Sequence, residues 1–556
     1  MSETHTVIFW GAGATANLGM RMTEGQGKFI TCLSGVNKLC LDDCLSDQVR
    51  HALGDSGDPH WRDTLIDLIT ILGDEKDSSD SIHIIEKQHL EAMARHWKPG
   101  AEESELRKRI MDLRLTYDWP ALKDVVKICP GVHSNKFKIN DLFNVMDMHI
   151  PLGHGFQAEE GRFLDARRLL GAKNMLKMLL HAMFYIDYQL CILNKLPILQ
   201  KYYEFAVALG KRMQSAGRNF TDNFDRPEFI RGDVSFVSLN YDPIGIWTQF
   251  VAYRDLNNSP TVPYVGNPSV PLKIFHDMGH FIPSRRIVPE GRPSLWYPMN
   301  ETSAQRLNED GSGANSRSRL SKFLFPHGCL CWRECPDCGK LSAYHGDEWN
   351  FASSSLIPAP PLKGFDPRAT YPSIDDLSIS DAESRKGEKA KWENGRVDAR
   401  ACLHCGTLTF THHTQTVMQS SFKQTPPSFI DEIQRDLRAL VMKADHIIFM
   451  GYSLPPDDVS YRSFFAARRQ RMSTNDKETS VRCTIIDYDK KKPHWIGHAD
   501  LRQEDFDERS VVRSALDIFG KGNVRFYGGG VPNVFLDGGG NVSAARLEEL
   551  LTWPNS

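Results

Sequence analysis

Short, uninterrupted apolar runs near both ends of the chain frame a long stretch with helical spacing. TVIFW (6–10) is apolar or β-branched throughout, and the same form recurs in VSFVSLNYD (234–242), KFLFPHG (322–328), HIIFMGYS (446–453), VRCTIIDYD (481–489) and NVRFYGGG (523–530). Runs of this length and type predict strands buried on both faces. Between about 55 and 220 the pattern changes: AEESELRKRIMDLRLTYDW (101–119) and GRFLDARRLLGAKNMLKMLLHAMFYIDYQ (161–189) carry apolar residues at helical intervals with mixed charge between them. PPSFIDEIQRDLRALVMKA (426–444) repeats that helical pattern between two of the later strands. Strands alternating with helices predict an α/β layer with a mostly parallel sheet.

The first strand lies far in sequence from the others, which predicts a sheet interrupted by insertions. The expected divisions are 1–30 for the first strand, loop and helix, 31–225 for a mainly helical insertion, and 226–328 for the sheet continued. Residues 329–412 would form a cysteine-bearing module with a flexible polar loop, and 413–556 would complete the sheet and the C-terminal tail. Residues 300–320 read as a polar loop, and 364–400, rich in charge and poor in large apolar groups, as a mobile segment.

Composition adds exclusions. The chain has 556 residues, 41% hydrophobic and 25% charged, with a formal net charge of -3. These are ordinary globular values, and the charge gives no global reason to expect direct nucleic-acid binding or an anionic membrane. The most apolar stretch, MLKMLLHAMFYIDYQLCIL (175–193), contains Lys177, His181 and Asp187. Leu176, Leu179, Leu180 and Met183 follow i, i+3, i+4, i+7, so a buried helix is expected rather than a bilayer span. No signal peptide is visible, and a cytoplasmic location is expected.

Chemistry-bearing residues gather where the strands end. After TVIFW come Gly11, Ala12, Gly13 and Thr15; the later runs end at Asn240 and Asp242, at His327, at Gly451 and Ser453, and at Asp487. Ligands of open α/β sheets bind beyond the carboxyl ends of the strands, so these five ends describe one crevice. Gly-Ala-Gly after a strand lets the backbone turn tightly and approach a pyrophosphate at a helix N-terminus. The third glycine of G-x-G-x-x-G is missing, since Ala16 stands there. Taken singly, each motif also fits a plain structural turn; their order along the chain is what favours a nucleotide site.

Of the twelve cysteines, Cys335, Cys338, Cys402 and Cys405 form two Cys-x-x-Cys knuckles, CPDCGK and CLHCGT. Four thiolates so arranged fit a structural, tetrahedral Zn2+ with no open position. The intervening segment exceeds the usual spacing but can loop out at small entropic cost. Cys329, Cys331 and His404 are substitutes of lower standing. Cys32, Cys40, Cys44, Cys129, Cys191 and Cys483 are scattered, and packed thiols are expected there.

In this order, GAGAT, LNYD, FPHG, two Cys-x-x-Cys pairs and GYSLPPDD resemble the sirtuin superfamily. The likeness is greatest to divergent bacterial sirtuin-like proteins that degrade NAD in antiphage defence. It covers the first ~30 residues and most of 230–535. The resemblance implies a Rossmann-like parallel sheet with a large helical insertion and a zinc-ribbon insertion. It implies NAD+ as substrate, with Gly11, Ala12, Gly13 and Thr15 as phosphate loop. Asn240 and Asp242 would orient the nicotinamide ribose and carboxamide, and His327 would serve as catalytic base. Gly451 and Ser453 would contact the nucleotide, and Asp487 the adenosine ribose. Deacylases of the family follow the first loop with Gly-Ile-Pro-Asp-Phe-Arg, where this chain has GMRMT (19–23). That departure favours water over acyl-lysine as acceptor, hence an NAD+ glycohydrolase. A protein-lysine deacylase and a silent NAD or ADP-ribose sensor are the alternatives. Control by self-association or by a separate activating protein of the same defence system is expected, because an unchecked NADase would be toxic. No Walker A sequence occurs in the chain, and the helical insertion is the natural docking surface.

Overall fold

A computed structural model describes residues 5–33, 67, 70–72, 85–96, 100–134, 136–158, 162–216, 234–242, 244–258, 272–276, 280–283, 297–298 and 319–329. It also describes 332–334, 341–343, 400–401, 408–409, 420, 428–455, 458–473, 481–508 and 510–554. Two compact units result. The first is built from Met1–Met20, Lys195–Cys329 and Pro426–Ser556, the second from Arg21–Asn194 and Leu330–Thr425.

The first unit holds a ten-stranded sheet. Its strands are β1 (Thr6–Trp10), β2 (Val234–Ser238), β3 (Leu272–His276), β4 (His280–Pro283), β5 (Tyr297–Pro298), β6 (Arg319–Leu324), β7 (His446–Met450), β8 (Arg482–Ile486), β9 (Trp495–Ile496) and β10 (Val524–Tyr527). They lie in the order β9-β10-β8-β7-β1-β2-β6-β3-β4-β5. The seven from β10 to β3 run parallel, and β9, β4 and β5 pair antiparallel at the margins. This is the expected Rossmann-like α/β architecture. The apolar runs form these strands because both sheet faces are covered, and every residue of β1, β2 and β7 is buried.

Alternation along β1 shows how the two faces are filled. Phe9 points to one side, 5.6 Å from Phe449 and 5.1 Å from Phe465 of helix Val459–Ser473. Trp10 points to the other side, 5.8 Å from Tyr202, which in turn meets Phe535. Tyr202 and Phe205 belong to the last turns of a 51-residue helix, Ala166–Ala216, with Pro197 inside it. Residues 195–216 therefore belong to the sheet unit, where the sequence pattern placed them in the insertion. Their aromatic side chains help to cover the Trp10 face.

Chain order reverses beside β1. The chain fills β2, β3 and β6 on one side, then crosses to β7, β8 and β10 on the other. That is a topological switch point, the place where open α/β sheets accept ligands. At the opposite ends of the strands, Arg525 donates to Thr484 Oγ1 and to the last carbonyls of helix Ala544–Leu551, at Glu549 and Leu550. This cation at a helix C-terminus pins the C-terminal helix to the sheet.

The second unit contains helices Thr23–Leu33, Lys87–His96, Glu103–Thr116, Trp119–Ile128 and Ile139–His149, with the first part of the 51-residue helix. Leu176, Leu179, Leu180 and Met183 are buried as their spacing predicts. Buried carboxylates there are paired: Asp124 with Arg162 at 3.0 Å, Asp147 with Lys173 at 2.7 Å, and Asp187 with Arg21 at 3.0 Å. Among the described residues, no helix is long and apolar enough to cross a membrane. Cys129, Cys191, Cys329 and Cys483 are buried thiols. Cys335, Cys338, Cys402, Cys405, Cys331 and His404 lie outside the described residues, as do most of the polar segments at 300–320 and 364–400.

Candidate functional site at the strand ends

The five candidate strand ends fall on five consecutive neighbours in the sheet: β8, β7, β1, β2 and β6. Register keeps the central ends level, with Trp10 opposite both Met450 and Ser238, and Met450 opposite Ile486. The sheet therefore delivers residues more than 400 positions apart to one rim.

The loop after β1 is tighter than expected. Ala12–Thr15 forms a single helical turn, and Ala16–Leu18 a 3-10 turn that stops at Gly19 in the left-handed region (φ 89°). A four-residue turn lacks the aligned peptides of a long helix, so the helix-dipole contribution expected from the sequence is small here. The glycines serve a backbone-to-backbone contact instead. A Cβ on Gly11 would lie 2.5 Å from Gly451 O, and one on Gly13 would lie 2.9 Å from Gly451 Cα. The Gly13 amide donates to Gly451 O at 2.9 Å, and the Ala14 amide to Gly11 O. Ala12 remains exposed at the rim, as does Ser453.

Thr15, Asn240 and Asp242 form one buried hydrogen-bonded cluster. Asn240 Nδ2 donates to Gly11 O at 3.1 Å and to Thr15 Oγ1 at 3.3 Å. A backbone carbonyl only accepts, so the orientation of the amide is fixed by Gly11. Both amide hydrogens are then used, and Asn240 offers a ligand its carbonyl oxygen, an acceptor. The Thr15 hydroxyl in turn donates to Asp242 Oδ2 at 3.4 Å. Asp242 Oδ1 accepts from the Ile244 amide at 3.2 Å, capping the helix Ile244–Asn258. Asp242 therefore joins the site and also starts a helix.

Burial pushes the Asp242 carboxyl up to about 6, against the smaller lowering effects of the Ile244 amide, Thr15 and Asn240. The direction has a consequence for stability. A folded pKa above the unfolded 3.8 means the native state holds this proton more tightly. The stabilisation is complete below pH ~4 and is lost as pH rises through 6. Two pKa units correspond to about 2–3 kcal/mol. Asp242→Asn, which does not titrate, should gain on the wild type by about that amount between pH 4.5 and pH 7.5. Urea unfolding at both pH values checks this; an equal difference at the two would remove desolvation as the cause.

His327 stands one strand away, at the turn that follows β6, and is fully buried. Its Nδ1 lies 3.3 Å from Leu239 O, the carbonyl directly before Asn240. Its Nε2 lies 3.9 Å from Asp458 Oδ1, and Tyr452 donates to Asp458 Oδ2 at 2.7 Å. The His327 ring centroid is 5.6 Å from that of Tyr461 and 6.5 Å from that of Tyr241. Asp487, at the end of β8, accepts from the Tyr488 amide at 2.8 Å, and burial raises its carboxyl. Tyr488 beside it is 71% exposed.

The structure thus brings Gly11, Gly13, Thr15, Asn240, Asp242 and Gly451 into direct contact, sets His327 next to them, and leaves Ser453 and Asp487 farther along the rim. Sequence reading missed Tyr452 and Asp458. Both lie in GYSLPPDD, and the carboxylates of that motif were the available signal. Among the described residues no group of three or more metal-ligating side chains occurs. Compared with protein-family models and with curated proteins, the chain matches none.

Proposed function

We propose that the sheet unit is a sirtuin-like NAD+ glycohydrolase, releasing nicotinamide and ADP-ribose from NAD+. The observation that carries this reading is the Thr15–Asn240–Asp242 cluster bonded to the Gly11 loop at the topological switch point. The pyridinium ring of NAD+ leaves as neutral nicotinamide and needs no general acid. The site must orient the ribose, stabilise positive charge developing at the anomeric carbon, and place an acceptor. Asn240 would accept from a ribose hydroxyl or from water through its carbonyl oxygen. Ionised Asp242 would accept from the carboxamide. His327 would take the proton lost by the attacking water, a role that suits imidazole near neutral pH.

Every polar side chain of the cluster is less than a tenth exposed. Water exclusion of this kind strengthens each electrostatic contact inside. It also supports a regulated enzyme, since NAD+ would enter only after the rim opens; self-association or a separate activator would supply that step. The four thiolates of Cys335, Cys338, Cys402 and Cys405 suit a structural Zn2+, and metal analysis of the purified chain tests it.

The decisive assay incubates the purified protein with NAD+, alone and with the products of its neighbouring genes, and quantifies nicotinamide and ADP-ribose. Equimolar release of both is the expected result. Nicotinamide release that depends on an acetyl-lysine peptide would make the protein a deacylase, and NAD+ binding without turnover under all conditions would make it a sensor.

A further inference from the structure

Three buried side chains behind the cluster form a connected series that the proposed reaction has not yet used in full. His327 contacts Leu239 O through Nδ1. Because a carbonyl only accepts, Nδ1 carries the proton, and Nε2 is the proton-accepting nitrogen of the ring. The group beside Nε2 is the Asp458 carboxylate, 3.9 Å away and itself buried. This is too long for a hydrogen bond but short for two charges away from water. Asp458 is fixed in turn, because its other oxygen accepts from the Tyr452 hydroxyl at 2.7 Å. Burial, then the neighbouring Asp458, push the Tyr452 hydroxyl well above its ordinary value, so it stays protonated and donates. Tyr452 is anchored to the nucleotide loop: a Cβ on Gly11 would lie 2.6 Å from its Cα.

We infer that Asp458, held by Tyr452, is a positioning residue that fixes the His327 imidazole and stabilises the positive charge it gains when Nε2 takes a proton. The inference rests on the NAD+-cleavage reading for its kinetic consequence, though not for its structural one. Asp458 touches neither of the groups expected to meet the substrate; it acts through His327. The arrangement divides labour along the rim: Asn240 and Asp242 hold the substrate, Leu239 O holds the base through Nδ1, and Asp458, fixed by Tyr452, stands beside the nitrogen that takes the proton. Anchoring Tyr452 against Gly11 makes the orientation of the base sensitive to the nucleotide loop.

Two near-isosteric variants test this, Asp458→Asn and Tyr452→Phe, each read in two ways. In protein labelled with 15N-histidine, the His327 ring signals are identified by their loss in His327→Gln. They should shift in Asp458→Asn and, less, in Tyr452→Phe. In the NAD+ assay, kcat should fall roughly 10²–10⁴-fold in Asp458→Asn and about 3–10-fold in Tyr452→Phe. KM should stay within about twofold, since an effect confined to the transition state leaves ground-state binding alone. Ring signals unchanged in Asp458→Asn would overturn the inference, and so would full kcat. If Asp458→Asn does not fold, Tyr452→Phe alone carries the test on the same criteria. Shifted ring signals in a protein that never cleaves NAD+ would retain Asp458 as the positioner of His327 and discard the NADase reading.

Discussion

Gly451→Ala should unfold the first unit or cost it more than about 4 kcal/mol, the exceptional end of single substitutions. Gly451 has φ 63°, a region that costs an alanine about 1–2 kcal/mol by itself. The larger part is steric. The new Cβ would lie 2.1 Å from Ala14 N and 2.3 Å from Gly13 C, and backbone atoms cannot rotate aside as side chains do. Gly19→Ala is the internal control. Gly19 has φ 89° but nothing within 4 Å of a Cβ, so it should lose only the conformational part, about 1–2 kcal/mol. Urea unfolding of the two variants measures the difference directly. Similar losses in both would show that the contact between the two strand-end loops contributes little.

Asn240→Ala should reduce NAD+ cleavage by roughly 10²–10³-fold, the usual loss when one oriented polar group is removed from a reacting centre. It removes the donor to Thr15 Oγ1 and leaves Gly11 O with the Ala14 amide alone, a loss of about 1–3 kcal/mol in stability. Asn240→Asp separates these effects. The aspartate has the same shape but offers no amide hydrogens, and it sets a charged oxygen against Gly11 O, which also can only accept. It should therefore be less stable than Asn240→Ala at neutral pH, although it is the smaller change in volume. Thermal unfolding orders the two; an aspartate variant as stable as wild type would reverse the assignment of the Asn240 amide.

How much of this was legible in the sequence differs from element to element. TVIFW and the five later apolar runs became parallel strands because a doubly covered strand needs little besides apolar bulk. The strands Leu272–His276, His280–Pro283 and Tyr297–Pro298 escaped notice. The first two lie in PLKIFHDMGHFIPS, where lysine, histidines, aspartate and glycine interrupt the hydrophobic signal, and all three make antiparallel pairs at the sheet margin. A helix was expected within residues 1–30, but the turn directly after the glycine loop stops at Gly19, and the longer helix starts only at Thr23.

Asn240, Asp242 and His327 were readable as residues at strand ends. Their partnership was not. Asp458 meets His327 across 131 positions, a pairing set by the order β1-β2-β6 and β7 in the sheet, which no local pattern encodes. The glycines of the first loop were legible as glycines, yet for another reason: the space they leave is filled by Gly451.

The place of β1 has a consequence for how the chain is made. Thr6 pairs with Val234 on one side and with His446 on the other, 440 positions later. At ribosomal rates of about 5–20 residues per second, the second neighbour emerges some 20–90 s after β1 does. Through that interval an apolar strand destined for the centre of the sheet has at least one bare edge, the condition under which edge-to-edge aggregation starts. Yield of this protein should therefore depend on what shelters residues 6–10 during synthesis more than on the stability of the finished fold. Slowing initiation or supplying a chaperone that binds nascent chains should raise soluble yield without any change in sequence.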